Sequence, residues 1–477
     1  MSAPVAERAD AIASRLGELL GEPLSASLHQ LSSGASRETF RFATAGRGEL
    51  VLQVDRGAKA GTGPPPQAAV LQAAADAGVP VSRVVAHGGE DAALGAGWTV
   101  VEALGGAAEP GPILAGEGVP EPEQLIDQIA AALAAVHRMP ADASLAPEVA
   151  DPIGALRATY DALGEPHPVF ELAFAQLGAS SPGAPGTAGR PGETGAAGRP
   201  GYQPRRTFVH GDFRMGNLMV GETGLTGVLD WELAHIGDPV EDLGWLCVPA
   251  WRFTRPDRPA AGLGTREQLI GAYERYAGVA VDPRAFAWWE LAGTLRWGVI
   301  CVMQAFTHLS GAARSVEHAV IGRRACEVEW DLLEMLEADS AGEPEPRDTT
   351  AATGAPGPPV APSLHDRPTA VELIEAARGA LGDEVLPLLD GRAAFQLRVS
   401  LRALGMVRRE LSLAPEHAAL RADALARFAV ADERELAAAI RAGSLAGREA
   451  ELRAALRELV RAKLAVANPK YVREEDP

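Results

Sequence analysis

Short alternating runs of apolar and polar residues mark the first hundred positions of the chain. Four of these runs predict strands because they match a pleated, half-buried surface, namely residues 29–44, 48–55, 81–88 and 97–104. A run with helical spacing, residues 66–78, lies between the second and the third and ends at Gly78, shortly before Pro80. The pattern predicts a small antiparallel sheet with one helix inserted.

Helical spacing dominates the rest of the chain. The first twenty residues carry charges every few positions, which indicates an amphipathic helix and not a signal peptide. From about residue 121 to 337 the pattern is mainly helical, and after residue 369 it is only helical. Thr369 and Glu372 form a capping box at the first of these late helices. The last long helix carries Arg453, Arg457 and Arg461 opposite its leucines, as a solvated face or, alternatively, as a docking surface.

Two segments poor in large apolar residues interrupt this pattern. Residues 183–201 repeat glycine at every third position and predict a disordered insertion, for which we take the bounds 179–204. Residues 338–368 are rich in proline, glycine and alanine and predict a linker. The fold class is therefore α+β, with a helix and sheet lobe at 1–104, a helical lobe at 105–337 and an all-helical domain of unknown role at 369–477.

Charge and cysteine content narrow the class of protein. With 44 Lys and Arg against 63 Asp and Glu, the formal net charge is -19, so nucleic acid and anionic membranes are not expected partners. The three cysteines lack metal-ligand spacing and predict buried free thiols. The longest apolar stretch, residues 297–306, is about half of a membrane span. We expect a soluble cytoplasmic protein that acts on a small molecule.

One motif carries the candidate chemistry. The stretch FVHGDFRMGN places Asp212 and Asn217 five residues apart, and a predicted hairpin then returns the chain to Asp230. Asn217 and Asp230 offer the hard oxygen ligands that Mg²⁺ accepts beside phosphates. Asp212 is then available to orient an attacking hydroxyl group and to receive its proton. This division of labour predicts phosphoryl transfer.

The motif resembles the signature of the aminoglycoside phosphotransferase and choline kinase group, HGDxxxxN followed by a hairpin and DxE. Six residues match it position by position: His210, Gly211, Asp212, Asn217, Asp230 and Glu232. The resemblance implies a bilobal protein-kinase-like fold, with ATP or another nucleoside triphosphate and Mg²⁺ as cofactors. It also implies Asp212 as the catalytic base, with His210 and Arg214 as further catalytic candidates, and Asn217, Asp230 and Glu232 as metal candidates.

Some of these roles have alternatives. Glu232 assists the metal or is purely structural. His210 is expected to bond the loop backbone as a scaffold residue, with proton donation as the alternative. Asp238 and Asp242, in the following GDPVEDLGWL, resemble an element that braces the catalytic loop, and we assign them to structure.

The resemblance places the nucleotide in the N-terminal lobe. It implies contacts from Gly34, Ala35 and Ser36 in a nucleotide-covering hairpin, and from a hinge around Val101, Glu102 and Leu104. The second strand departs from the family pattern, since Gln53 stands where a Lys or Arg reaches the phosphates. Our alignment places Gln67 at the position of the Glu that steadies that cation. Arg56 or Lys59 is a candidate for the missing charge, although residue 56 would point to the opposite face of a regular strand.

The choice of acceptor stays open at this point. Residues 151–177 and 322–333 resemble a bacterial branch related to the kinase-like domains of acyl-CoA dehydrogenase family members ten and eleven, which implies a hydroxyacyl-CoA acceptor. The segment after 369 resembles a helical domain of unknown function, for which docking within the chain or to another protein is one role. Alternatives are a nucleotide-binding pseudokinase that serves as a sensor or scaffold, suggested by Gln53 and Gln67, and an aminoglycoside resistance kinase.

Overall fold

The structure, a computed structural model, describes residues 5–33, 37–55, 67–95, 97–182, 204–253, 255–338 and 368–472 of the chain. The chain divides into two compact units. The first unit comprises Met1–Pro152 and Ser180–Gly293, and the second comprises Ile153–Ala179 and Thr294–Pro477. The predicted insertion at 179–204 and linker at 338–368 lie, except for their end residues, outside the described residues. The division of the chain at 1–104, 105–337, 338–368 and 369–477, with the role given to each segment, stays a prediction.

The described strands are β1 (Leu24–Ser33), β2 (Arg37–Thr44), β3 (Gly48–Asp55), β4 (Val84–Gly88), β5 (Trp98–Glu102), β6 (Thr207–Val209), β7 (Leu218–Gly221), β8 (Gly224–Val228) and β9 (His235–Gly237). The described helices are α1 (Val5–Leu20), α2 (Gln67–Asp76), α3 (Pro110–Ala115), α4 (Pro122–Val136), α5 (Pro152–Leu163), α6 (Pro168–Ala179), α7 (Val240–Leu246), α8 (Arg266–Ala277), α9 (Pro283–Leu309), α10 (Val316–Gly322), α11 (Ala325–Ala338), α12 (Ala370–Gly379), α13 (Gly391–Arg427), α14 (Glu433–Arg441) and α15 (Glu449–Ala467).

The N-terminal strands form one antiparallel sheet in the order β1-β2-β3-β5-β4, as the alternating runs predict. One face of this sheet packs in an apolar core with α1, and its buried members include Ile12, Leu16, Phe40, Phe42, Leu50, Leu52 and Val54. Because successive side chains of a strand point to opposite faces, Arg37 and Thr39 of β2 lie on the other face. So do Gln53 and Asp55 of β3, since Thr39 pairs with Gln53 and Arg37 with Asp55.

The predicted hairpin is present and helps to position the site. Strands β7 and β8 pair antiparallel through the turn at Glu222 and Thr223. Strand β6 pairs with β9. The loop that follows β6 therefore starts beside the point where the loop that precedes β9 ends. The amide of Leu229 donates to the carbonyl of Asn217 at 2.8 Å, which places Asp230 beside the end of the first loop.

In the second unit, the late helices α14 and α15 form ion pairs with α6 and α11. Arg441 of α14 lies 2.6 Å from Glu171 of α6, and Lys463 of α15 lies 2.8 Å from Glu329 of α11. Both glutamates are almost fully buried, at 2% and 1% exposure. Cations near buried carboxylates offset part of the cost of removing them from water, so these pairs help to hold α14 and α15 against the earlier helices.

Several smaller predictions can be compared with the structure. The capping box at Thr369 and Glu372 is present. Arg457 pairs with Glu337 and lies over the ring of Trp330, so its part of the basic face packs against protein and is not solvated. The three cysteines, Cys247, Cys301 and Cys326, are free and buried, as predicted. No helix among the described residues combines the length and apolarity that crossing a membrane requires.

Candidate active site

The loop between β6 and β7 is held by a buried carboxylate. The amides of His210 and Gly211 donate to Asp242 of α7 at 2.8 and 2.9 Å. Gly211 has φ +77°, and a Cβ there would lie 2.3 Å from the carbonyl oxygen of Leu233, so only glycine fits. Asp238 accepts from the amide of Val240 at the start of α7. These bonds agree with the bracing role expected for Asp238 and Asp242.

A histidine and a tyrosine extend this brace into the helices. Nε2 of His137, which follows α4, lies 3.2 Å from Oδ2 of Asp242, and its Nδ1 lies 2.8 Å from the hydroxyl group of Tyr273 on α8. Burial alone would raise the pKa of Asp242, but the hydrogen bond with His137 and nearby charges lower it below its ordinary value. His137 and Tyr273 were not predicted as site residues, since nothing local in the sequence links them to a loop far along the chain.

The Asp212 carboxylate is held at both oxygens. Its Oδ1 accepts from Nε1 of Trp245 at 2.9 Å and from Nε of Arg214 at 3.0 Å, and its Oδ2 accepts from Nδ2 of Asn217 at 2.6 Å. The guanidinium of Arg214 in turn lies 4.7 Å from the ring centre of Trp251. Asp212 is only 9% exposed, and these donors fix the orientation of its carboxylate. Trp245 was not predicted as a site residue, although it lies in the GDPVEDLGWL element.

His210 connects the two loops of the site. Its side chain is fully buried, Nε2 donates to the carbonyl of Leu229 at 3.0 Å, and Nδ1 accepts from the amide of Asp212 at 3.2 Å. Burial lowers the pKa of His210, which keeps the ring neutral. A neutral ring with both nitrogens bonded to backbone suits a scaffold residue better than a proton donor.

Asp230 lies in a setting that favours a bound cation. Burial, followed by the negative charges of Glu232 and Asp212, raises the pKa of Asp230 to about 6. Its φ of +61° is rare for a residue other than glycine, and such strain is often found at functional positions. A cation beside this carboxylate would favour its ionised form.

The donor set fits Mg²⁺ in its chemistry, because Asn217 and Asp230 offer hard oxygen atoms. Both bonds from Nδ2 of Asn217 go to Asp212, which turns the amide oxygen Oδ1 away from that carboxylate. Within the described residues, no three His, Cys, Asp or Glu side chains gather in a metal-binding group. An ion here would draw on Asn217, Asp230, phosphate oxygens and water, and Mg²⁺ commonly binds with few protein ligands.

The predicted nucleotide residues are placed only in part. Gly34, Ala35 and Ser36, together with Arg56 and Lys59, lie outside the described residues. Nε2 of Gln67 donates to Oε1 of Gln53 at 2.5 Å, so the two glutamines form a neutral pair between α2 and β3.

The predicted hinge residues lie at the end of β5 and just after it. Val101 is buried in β5, and the carboxylate of Glu102 pairs with Arg83. Leu104 lies against Gly227 of β8, where a Cβ would be 2.2 Å from Cδ1 of the leucine. The segment predicted as a hinge therefore contacts the hairpin that follows the loop between β6 and β7.

Two family models match separate parts of the chain. A family model described as the phosphotransferase enzyme family matches residues 27–279, and one described as a domain of unknown function, DUF6285, matches residues 387–471. The chain is 30% identical over 146 residues to mouse acyl-CoA dehydrogenase family member 10, a match that spans 27% of this chain and 13% of that protein.

Among solved structures, the chain is similar to an aminoglycoside phosphotransferase homologue from Ralstonia eutropha, with TM-score 0.50 and 21% identity, over 69% of this chain and 98% of that one. It is also similar to a mutant aminoglycoside phosphotransferase solved with AMP-PNP and hygromycin B, with TM-score 0.44 and 18% identity, over 70% and 100% of the two chains. The predicted α+β kinase-like fold with a C-terminal helical region is confirmed. The comparisons do not favour the pseudokinase alternative.

Proposed function

The chain belongs to the phosphotransferase enzyme family, and on that basis we propose that it transfers the γ-phosphoryl group of ATP, or of another nucleoside triphosphate, to a hydroxyl group of a small molecule. The observation that carries this proposal is the Asp212 carboxylate, fixed by Trp245, Arg214 and Asn217. The oxygen donor Asp230 follows Leu229, whose amide bonds to the carbonyl of Asn217 at the end of the same loop. A positioned base beside a metal-binding carboxylate is the arrangement that phosphoryl transfer needs.

In the proposed reaction, Asp212 accepts the proton of the acceptor hydroxyl group as its oxygen attacks the γ-phosphorus. The bond between the γ-phosphorus and the oxygen bridging to the β-phosphate breaks, and the nucleoside diphosphate leaves. Trp245, Arg214 and Asn217 hold the base while His210 and Asp242 hold the loop. Mg²⁺ held by Asn217 and Asp230, with or without Glu232, would neutralise phosphate charge.

For the nucleotide we propose the sites that the sequence suggested. The backbone at Gly34–Ser36 covers the phosphates, and the hinge around Val101, Glu102 and Leu104 contacts the base. The neutral pair of Gln53 and Gln67 faces the phosphates with an amide in place of a charge. Arg214 borders the acceptor side of Asp212, where it fixes Oδ1.

For the acceptor we propose a hydroxyacyl-CoA or a compound like it. Support comes from the likeness to the mouse protein, whose name places it among acyl-CoA dehydrogenases, although the chain covers only 13% of its length. An aminoglycoside acceptor is the alternative within the same reaction class. We also propose a cytoplasmic location, since buried free thiols suit a reducing compartment.

The test uses the purified protein with Mg-ATP and a panel of hydroxyacyl-CoAs, amino alcohols and aminoglycosides. We expect release of ADP that depends on one class of acceptor and is lost in Asp212→Ala. The control Asp257→Asn changes a carboxylate that is 78% exposed and should leave the rate unchanged. Activity that persists in Asp212→Ala would remove Asp212 from the proposed role.

A further inference from the structure

The neutral pair on β3 raises the question of which cation meets the nucleotide phosphates. Gln53 and Gln67 bond to each other and bring no charge. Phosphoryl transfer gathers negative charge on the phosphates, so loss of a cation from this position should be costly. A basic residue on the same face of the sheet would compensate for it.

Strand register identifies a basic residue on that face. Arg37 of β2 pairs with Asp55 of β3, and Thr39 pairs with Gln53, so Arg37 and Gln53 are diagonal neighbours. Diagonal neighbours on one face lie about 7–8 Å apart, which long side chains span. The opposite face is filled by α1 and its core. Arg37 also follows directly after Gly34–Ser36 in the chain.

Burial and one hydrogen bond fix the side chain of Arg37. The Arg37 side chain is only 11% exposed, and its Nε donates to Oδ1 of Asp55 at 2.8 Å. That bond involves Nε, and the guanidinium has further N–H donors on its terminal nitrogens that suit phosphate oxygens.

We propose that Arg37 binds the phosphate groups of the nucleoside triphosphate and supplies the cation that β3 lacks. The inference rests on the proposed function, because it needs a nucleotide on this face of the sheet. Asp55 acts as a positioning residue that holds the guanidinium through Nε. A partner that is 43% exposed adds little to stability, so the ion pair alone does not account for a largely buried arginine diagonal to Gln53.

Equilibrium binding of Mg-ATP, measured by calorimetry, tests the proposal, with adenosine as a ligand that lacks phosphates. Arg37→Gln should weaken Mg-ATP binding roughly 10- to 100-fold, as expected for loss of a charge-assisted hydrogen bond, and leave adenosine binding unchanged. The matched control is Arg41→Gln, on the same strand and face about 13 Å away. Arg41 pairs with Glu49 at the exposed end of the hairpin, with 47% of its side chain exposed.

A second pair of variants covers the case in which Arg37→Gln does not fold. Arg37→Lys keeps the charge but loses the planar fork, so it should weaken Mg-ATP binding severalfold, whereas Arg41→Lys should not. Equal Mg-ATP affinity in the Arg37 and Arg41 variants overturns the inference and leaves the proposed function standing. Equal weakening of ATP and adenosine also overturns it. If the wild-type protein binds no Mg-ATP, the proposed function itself fails.

Discussion

The ion pair between Lys463 and Glu329 predicts how strongly α15 is attached to the earlier helices of its unit. Glu329 is 1% exposed and also bonds to Nδ1 of His167 at 3.0 Å. Replacing Lys463 with methionine removes the ammonium group and keeps much of the aliphatic chain. The buried carboxylate then keeps its hydrogen bond with His167 but loses the ammonium group.

The magnitude follows from the pKa of Glu329. Burial would raise this pKa, but the charge of Lys463 and the bond with His167 bring it down to about 2. A drop of about 2.5 pKa units from an ordinary glutamate corresponds to about 3 kcal/mol. Lys463 is 42% exposed and shares the effect with His167, so we expect Lys463→Met to lower the free energy of unfolding by about 2 kcal/mol.

The pH dependence gives a second readout. A depressed carboxylate pKa stabilises the fold fully above the unfolded value of 4.5, and this contribution is lost as the pH falls toward 2. The difference between wild type and Lys463→Met should therefore be largest at neutral pH and shrink in acid. Urea unfolding at several pH values measures it, with the exposed Lys470→Met as control. A loss at pH 7 no larger than in the control would refute the reasoning.

Three further predictions concern the site. Gly211→Ala should destabilise the protein by more than about 2 kcal/mol, because the added Cβ would clash with the carbonyl oxygen of Leu233. The control Gly278→Ala, at φ +69° in open space, should cost about 1 kcal/mol. Thermal unfolding of the two variants measures the difference. Tyr273→Phe removes the hydroxyl partner of His137 and should lower stability by about 1 kcal/mol, and an unchanged unfolding midpoint would contradict the brace. Trp245→Phe should lower kcat about 10-fold or more in steady-state assays, because Asp212 loses a donor.

The geometry of the HGDxxxxN motif was predictable because its parts are close in sequence. The residues from His210 to Glu232 belong to one loop, one hairpin and one following turn, so their spacing alone brings Asp212, Asn217 and Asp230 together. The glutamine pair was predictable for a related reason, since the strand and the helix that carry it follow each other in the chain.

Other parts of the site depend on packing between distant elements. His137 lies 105 residues before Asp242, and only the packing of α4 against the loop reveals the bond. From the sequence, the candidates for the cation that meets the nucleotide phosphates were Arg56 and Lys59, which follow Gln53 in the chain. The pairing of β2 with β3 instead places Arg37 diagonal to Gln53, and that register depends on the exact length and type of the turn between the two strands.

The central claim is phosphoryl transfer at Asp212, and transfer of label from γ-labelled ATP to the acceptor tests it most directly. Asp212→Asn keeps the size of the side chain but loses the carboxylate base. We predict that the wild-type protein labels one class of hydroxyl acceptor and that Asp212→Asn does so roughly 10²- to 10⁴-fold more slowly, with Mg-ATP binding retained. Labelling at the wild-type rate by Asp212→Asn would contradict the account.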